Sequence, residues 1–243
     1  MFLDRRILIF DLDGTLIDSL GVWSQVDQEL VRRLSNDRVH LTEDEAGELR
    51  VSAMRRHGEG SDAYLKYMVE MKRDFDLPGT PEEIHHQRYE LAQEFLRTRV
   101  KYRPGAGEVI RTLKSLGKTL AIATTTRRRN IVTYATENEW LMAEAPLNEN
   151  FELILTRDDV EHVKPDPEVF TKIMAHFGAK PEECLVIEDA LPGIVGARAV
   201  GIDSVVISER YAEPMREQLD RAAVARFETH ADLLAAIRSE AGR

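Results

Sequence analysis

The hydrophobic pattern divides the chain into three stretches. Residues 7–10, Ile-Leu-Ile-Phe, form a short continuous apolar run, which fits a strand covered on both faces as in a parallel sheet. From about residue 18 to residue 99 no convincing strand occurs, and apolar positions recur at helical spacing instead, as in Val22, Val26, Leu30 and Leu34. Helices are predicted over 22–34, 42–56, 63–75 and 81–98, the second opened by a Thr42–Glu45 capping box and the fourth by Pro81 in its first turn. From Pro104-Gly105 onward short apolar runs alternate with helical segments. Strands are predicted at 119–123, 152–155, 184–187 and 204–207, and helices at 106–116, 127–138, 167–177, 191–200 and 231–240. Such alternation implies right-handed crossovers, so the predicted fold class is α/β: a doubly wound parallel sheet interrupted after its first strand by a helical bundle.

Candidate chemistry collects where the strands end. Asp11 and Asp13 follow the first strand, and because side chains alternate in an extended chain both carboxylates would face one site with Leu12 turned into the core. Like charges held close require a cation or a proton, although Asp and Gly are also ordinary solvated turn residues. Thr124 ends the second strand, where a threonine is equally at home for its strand propensity. Glu188 and Asp189 follow a later strand, in the place where carboxylates also favour a helix N-terminus. Lys164 lies in Val163-Lys164-Pro165-Asp166-Pro167, a loop stiffened by two prolines. A net charge of −10, split evenly between residues 18–99 and the rest, argues against nucleic-acid and anionic-membrane partners. A small soluble substrate and a monomer or weak dimer are expected. Seven histidines show no zinc-type spacing. The single cysteine, Cys184, excludes an internal disulfide, and with no signal-like start the expected location is the cytoplasm.

Taken in order, Asp11-Leu12-Asp13-Gly14-Thr15, Thr124, Lys164 and Glu188-Asp189 resemble the four motifs of the haloacid dehalogenase-like phosphohydrolase superfamily. The resemblance covers most of the chain. It implies a Rossmann-like core of residues 1–17 plus 103–243 and a helical cap domain at 18–102. It further implies a magnesium-dependent phosphatase acting on a small phosphorylated metabolite, a sugar or polyol phosphate, through an aspartyl-phosphate. On that resemblance Asp11 is the nucleophile and Asp13 the acid and base, while Thr124, the Thr125 amide and Lys164 bind phosphate. Mg2+ would be held by Asp11, by the Asp13 carbonyl and by Asp189, with Glu188 binding directly or through water. The family often carries another acid four residues after Asp189; here that place is Gly193, and Glu188 is expected to compensate.

Trp23 is similar to the pattern of sugar- and polyol-phosphate phosphatases, where hexose phosphomutases of the beta-phosphoglucomutase type place a histidine; it is also a reasonable core tryptophan. Arg127, Arg128, Arg129 and Asn130 open a helix whose N-terminus already favours anions, so Thr126, Arg127 and Asn130 are candidate substrate contacts, with a solvated face as the alternative. The alternative functions are a phosphomutase with the same machinery and a non-catalytic phosphate-binding or signalling protein. Signalling receivers need a separate acceptor aspartate after a third strand, and the length and helical insertion count against that reading.

Overall fold

All four side chains of the first strand, β1 (Ile7–Phe10), are buried, as a strand covered on both faces requires. In the computed structural model, which describes residues 1–58 and 61–242, β1 lies inside a six-stranded sheet with β2 (Thr119–Ala123), β3 (Leu153–Leu155), β4 (Cys184–Glu188), β5 (Asp203–Ile207) and β6 (Ala225–Phe227). The order is β3-β2-β1-β4-β5-β6, and each neighbouring pair is parallel. Winding therefore reverses between β1 and β4, the point where a doubly wound sheet opens a crevice at the carboxyl ends of its strands. The register sets Phe10 opposite both Ile122 and Ile187, so the residues after β1, β2 and β4 leave the sheet side by side.

Among the described residues the α-helices are α1 (Val22–Leu34), α2 (Glu43–His57), α3 (Ser61–Phe75), α4 (Pro81–Thr98), α5 (Ala106–Ser115), α6 (Arg128–Thr136), α7 (Glu139–Glu144), α8 (Leu147–Asn150), α9 (Glu168–Phe177), α10 (Leu191–Ala199), α11 (Arg216–Ala222) and α12 (His230–Ala241). No helix of the described residues is long and apolar enough to cross a membrane. On one sheet face Val169, Phe170 and Ile173 of α9 pack against Ile7, Ile9, Ala121, Ala123 and Val186. Strand alternation turns Leu8, Phe10, Leu120, Ile122, Leu185 and Ile187 to the other face, where Phe10 meets Phe151 edge-on at 6.1 Å.

Several elements depart from the sequence expectation. The helix predicted over 127–138 stops at Thr136, because the buried Asn138 side chain accepts a hydrogen bond from the Leu141 N–H at 2.9 Å and starts α7 anew. None of α7, α8, α11 and β6 was predicted. β6 is a three-residue, half-buried edge strand, too short to show a period.

The chain divides into two compact units, Met1–Asp18 with Lys101–Arg243, and Ser19–Val100. Of the domain ranges expected from sequence, residues 59, 60 and 243 lie outside the described residues. The first unit holds the sheet. Within it the outgoing and returning segments are paired: Ile17 and Tyr102 form an antiparallel bridge, the Asp18 N–H donates to the Lys101 carbonyl at 3.0 Å, and the Arg103 N–H donates to that of Leu16 at 2.8 Å.

The second unit is α1 to α4, with no strand among its described residues. Thr42 with Glu45, and Thr80 with Glu83, close capping boxes at the starts of α2 and α4. At its centre Asp27 is fully buried and accepts from Arg88 Nε at 2.5 Å and Nη2 at 3.2 Å, from Arg50 at 3.1 Å and from the Tyr67 hydroxyl at 3.4 Å. A buried carboxylate persists only when paired and hydrogen-bonded in this way.

Replacing residues 19–100 by a short Gly-Ser linker is expected to leave the sheet unit folded, because the segments to be joined are already bridged at Ile17 and Tyr102. Circular dichroism and a single cooperative urea transition check this outcome. Loss of the transition would show that the sheet unit depends on the helices.

Candidate active site

β1 carries its pairing one residue past its end. The Asp11 N–H donates to the Ile187 carbonyl at 2.9 Å, which fixes the base of the Asp11 side chain against the end of β4. The chain then turns back. The Leu16 and Ile17 N–H groups both donate to the Leu12 carbonyl, at 2.9 and 3.0 Å, and Gly14 sits at φ +86°, a left-handed conformation that favours glycine. Asp11 and Asp13 thus take different partners: Asp11 turns to Lys164, while Asp13 Oδ2 accepts from the Thr126 hydroxyl and, at 3.4 Å, from that of Thr124.

Lys164 comes from the proline-bounded loop ahead of α9. Its ammonium is buried and donates to Asp11 Oδ1 at 2.6 Å and to Glu188 Oε1 at 2.7 Å. Burial acts to lower its pKa, but the Asp11 and Glu188 carboxylates outweigh burial and hold it above the ordinary lysine range. Glu188 turns its other oxygen to the N–H groups of Asp189 and Ala190, both at 2.8 Å, and so prepares the entry into α10. Asp189 Oδ1 accepts from the Thr15 hydroxyl at 2.6 Å.

The crevice therefore buries Asp11, Glu188 and Asp189 around one ammonium, with ligand oxygens all within 4.8 Å of one another. Burial pushes the Asp11 carboxyl up to about 7; Lys164 opposes the shift, and Glu188 and Asp13 add to it. Asp189 is also held well above the usual carboxylate range, by burial first and then by Glu188 and Asp11. Three carboxylates against one lysine are short of positive charge. An all-oxygen set in that condition fits a hard divalent cation held by few protein ligands.

Two glycines of α10 make room for this group. A Cβ on Gly193 would stand 1.7 Å from Glu188 Oε1, so the glutamate side chain occupies the space next to that position. A Cβ on Gly196 would come within 3.1 Å of the Pro165 carbonyl, where α10 approaches the lysine loop.

The other sequence candidates fall as follows. Thr124 is buried at the end of β2, its N–H donating to the Leu155 carbonyl at 3.0 Å and its hydroxyl oxygen accepting from the Thr126 N–H at 3.1 Å. Thr125 is exposed and Asn130 is buried. Arg127 is exposed, its guanidinium 3.7 Å from Asp158, while Arg128 pairs with Asp159. Asp158 also accepts the Arg128 N–H at 2.7 Å, and supplies at the start of α6 the negative charge that three consecutive arginines lack. Trp23 belongs to the helical unit, with the Arg88 guanidinium 5.4 Å from its ring centroid. Two contributors were missed. Thr15 stood in the first motif but was given no partner. Arg103 donates to the carbonyls of Gly14 and Ser208, the latter at 2.7 Å, and nothing local in the sequence signals this.

Gly193→Ala is expected to destabilise the protein by about 1–3 kcal/mol through overpacking. With Glu188→Ala in the same chain that cost should largely vanish, an interaction term read from urea denaturation of the four proteins. Additive effects would show that the two positions do not compete for space.

The profile of the family described as haloacid dehalogenase-like hydrolase matches residues 8–207. The chain is 30% identical over 222 residues to Protein CbbY of Rhodobacter capsulatus, covering 86% of this chain and 88% of that protein. It is 28% identical over 203 residues to Pyrophosphatase PpaX of Bacillus cereus, covering 83% and 82% of the two. A hydrolase of the same superfamily from Deinococcus radiodurans, solved with bound phosphate and sodium, superposes with a TM-score of 0.71 at 27% identity, over 99% of this chain and 97% of that one.

Proposed function

The chain belongs to the haloacid dehalogenase-like hydrolase family, and we propose from that premise that it is a magnesium-dependent phosphatase acting on a small sugar or polyol phosphate through an aspartyl-phosphate. The observation that carries this reading is Asp11 held at 2.6 Å from a buried Lys164, beside Glu188 and Asp189. In the first half-reaction an Asp11 oxygen attacks phosphorus, the bond to the leaving oxygen breaks, and Asp13 passes its proton to that oxygen to release an alcohol. In the second, Asp13 takes a proton from water as the water attacks, the bond between Asp11 and phosphorus breaks, and inorganic phosphate leaves. General acid and base help of this kind is worth about 10²- to 10⁴-fold in rate.

The remaining groups neutralise and orient. The Lys164 ammonium offsets charge on Asp11 and the phosphate oxygens, and the Thr124 hydroxyl and Thr125 N–H are donors for the equatorial oxygens. Magnesium, held by the carboxylates of Asp11, Glu188 and Asp189 and by the Asp13 carbonyl, would supply the positive charge that lets a carboxylate approach a phosphate dianion. Thr15 keeps Asp189 turned toward the group. Trp23 favours a hydrolase over a mutase, since an indole has one N–H donor and no titration near neutral pH with which to shuttle a proton.

Purified protein assayed against a panel of phosphate monoesters should release inorganic phosphate in step with substrate loss. EDTA should abolish turnover, and magnesium should restore it better than calcium, whose larger and looser shell misplaces the phosphate. Asp11→Asn should fall to background. Isomeric sugar phosphate without phosphate release would replace this reading with the mutase.

The raised Asp11 carboxyl also sets a direction with pH. Below about 7 the folded site holds a proton that a cation must displace, so apparent magnesium affinity should weaken by up to about tenfold per pH unit below 7. The thermal shift caused by magnesium should accordingly be small at pH 5.5 and large at pH 8. Without metal the sign reverses: a carboxyl raised by folding favours the folded state at low pH, and that contribution is lost as pH rises toward 7. A magnesium shift independent of pH would place the cation away from Asp11.

A further inference from the structure

Asp13 is asked to point its carboxyl at a leaving oxygen, yet it stands on a tight turn rather than in the sheet. Its orientation comes from another part of the chain. The Thr126 hydroxyl donates a hydrogen bond to Asp13 Oδ2, which the Thr124 hydroxyl also approaches at 3.4 Å. Thr126 is itself held twice through its backbone. Its N–H donates to Thr124 Oγ1 at 3.1 Å, and its carbonyl accepts from the Arg157 N–H at 3.1 Å. Arg157 opens a 3₁₀ turn (Arg157–Asp159) made rigid by Thr156, which is fully buried and bonded to Asp159 through its N–H at 2.7 Å and its hydroxyl at 2.6 Å. Asp159 in turn holds Arg128 at the start of α6. The loop after β2 is thus braced by the segment after β3, and Thr126 is the residue through which that brace meets Asp13.

We propose that Thr126 is a positioning residue for the general acid, holding the plane of the Asp13 carboxyl so that its proton is delivered to the leaving oxygen. The inference rests on the phosphatase reading and adds a role to it. A carboxyl side chain has two free torsions, and a hydrogen bond from a braced hydroxyl to one of its oxygens removes that freedom at low cost, leaving the other oxygen to carry the proton. An acid acts only within hydrogen-bond reach of the atom it protonates, so a carboxyl turned away contributes nothing. Thr126 touches neither phosphorus nor the leaving group in this account. It acts through Asp13 alone.

The leaving group separates this role from binding or general structure. An alkyl phosphate expels a basic alkoxide and needs the proton, whereas p-nitrophenyl phosphate expels a weakly basic phenolate and needs it little. kcat/KM reports the first half-reaction for both. Thr126→Val should lower kcat/KM for glycerol 2-phosphate by about 10- to 100-fold, less than the about 10²- to 10⁴-fold of full acid help because the Asp13 carboxyl remains, and leave p-nitrophenyl phosphate within about twofold. Thr126→Ser should restore the alkyl substrate. If Thr126→Val folds poorly by thermal melting, Thr126→Ala against Thr126→Ser makes the same comparison across one hydroxyl. Equal loss on both substrates, or no loss on either, overturns the role. The wild-type protein, quenched during turnover and treated with hydroxylamine, tests the underlying reading separately. Failure to trap an acyl-phosphate there brings down the covalent mechanism and this inference with it, while a trapped intermediate with equal losses brings down the role of Thr126 alone.

Discussion

The Lys164 ammonium lies 2.6 Å from Asp11 and 2.7 Å from Glu188 in a crevice that buries a third carboxylate, Asp189. Charges taken out of water are costly unless opposed, and removing one partner of a buried pair costs about 3–5 kcal/mol because the other is left uncompensated. The lysine must therefore arrive at one point, and much of the sheet unit can be understood as meeting that demand. The strand order sets the ends of β1 and β4 side by side, Pro165 and Pro167 stiffen the loop that carries the lysine, and Gly193 and Gly196 let α10 approach without a Cβ in the way. Even so the balance stays negative, which adds to the burial that raises Asp11 and Asp189 and suits the crevice to a cation and a phosphate together.

The helical unit, taken by itself, solves a related problem with the opposite sign. Asp27 is fully buried between Arg88 and Arg50, so one carboxylate faces two guanidinium groups. Arg88 also lies over the rings of Trp23 and Tyr64, at 5.4 and 5.1 Å from their centroids. Arginine suits this place because its planar fork can bond a carboxylate and stack on an aromatic face at once. An amphipathic reading of α1 treats Asp27 as a polar position, and only the packed bundle shows it to be the centre of the network.

What the sequence determined by itself is whatever depends on near neighbours along the chain. The apolar run at 7–10, the helical period of α1, and the Thr42–Glu45 capping box are local signals, and each element forms where its signal lies. The same holds for where the chemistry stands: the strand ends expected at 10, 123 and 187, the last lying one residue further in the structure, place Asp11, Thr124 and Asp189 at one edge once the sheet is parallel. Local signals also misled. Asn138 looked like the last residue of a helix and is the cap of the next, and β6 is too short to carry a pattern. What only the tertiary structure decided is the pairing of side chains far apart in sequence: Thr126 on Asp13, Thr15 on Asp189, Arg103 on the Gly14 carbonyl, Arg88 on Asp27. The physical reason is that alternation and helical period fix the direction in which a side chain leaves its own element, while its partner is whatever another element brings within about 3 Å, a distance set by packing and not by any residue's neighbours in the chain.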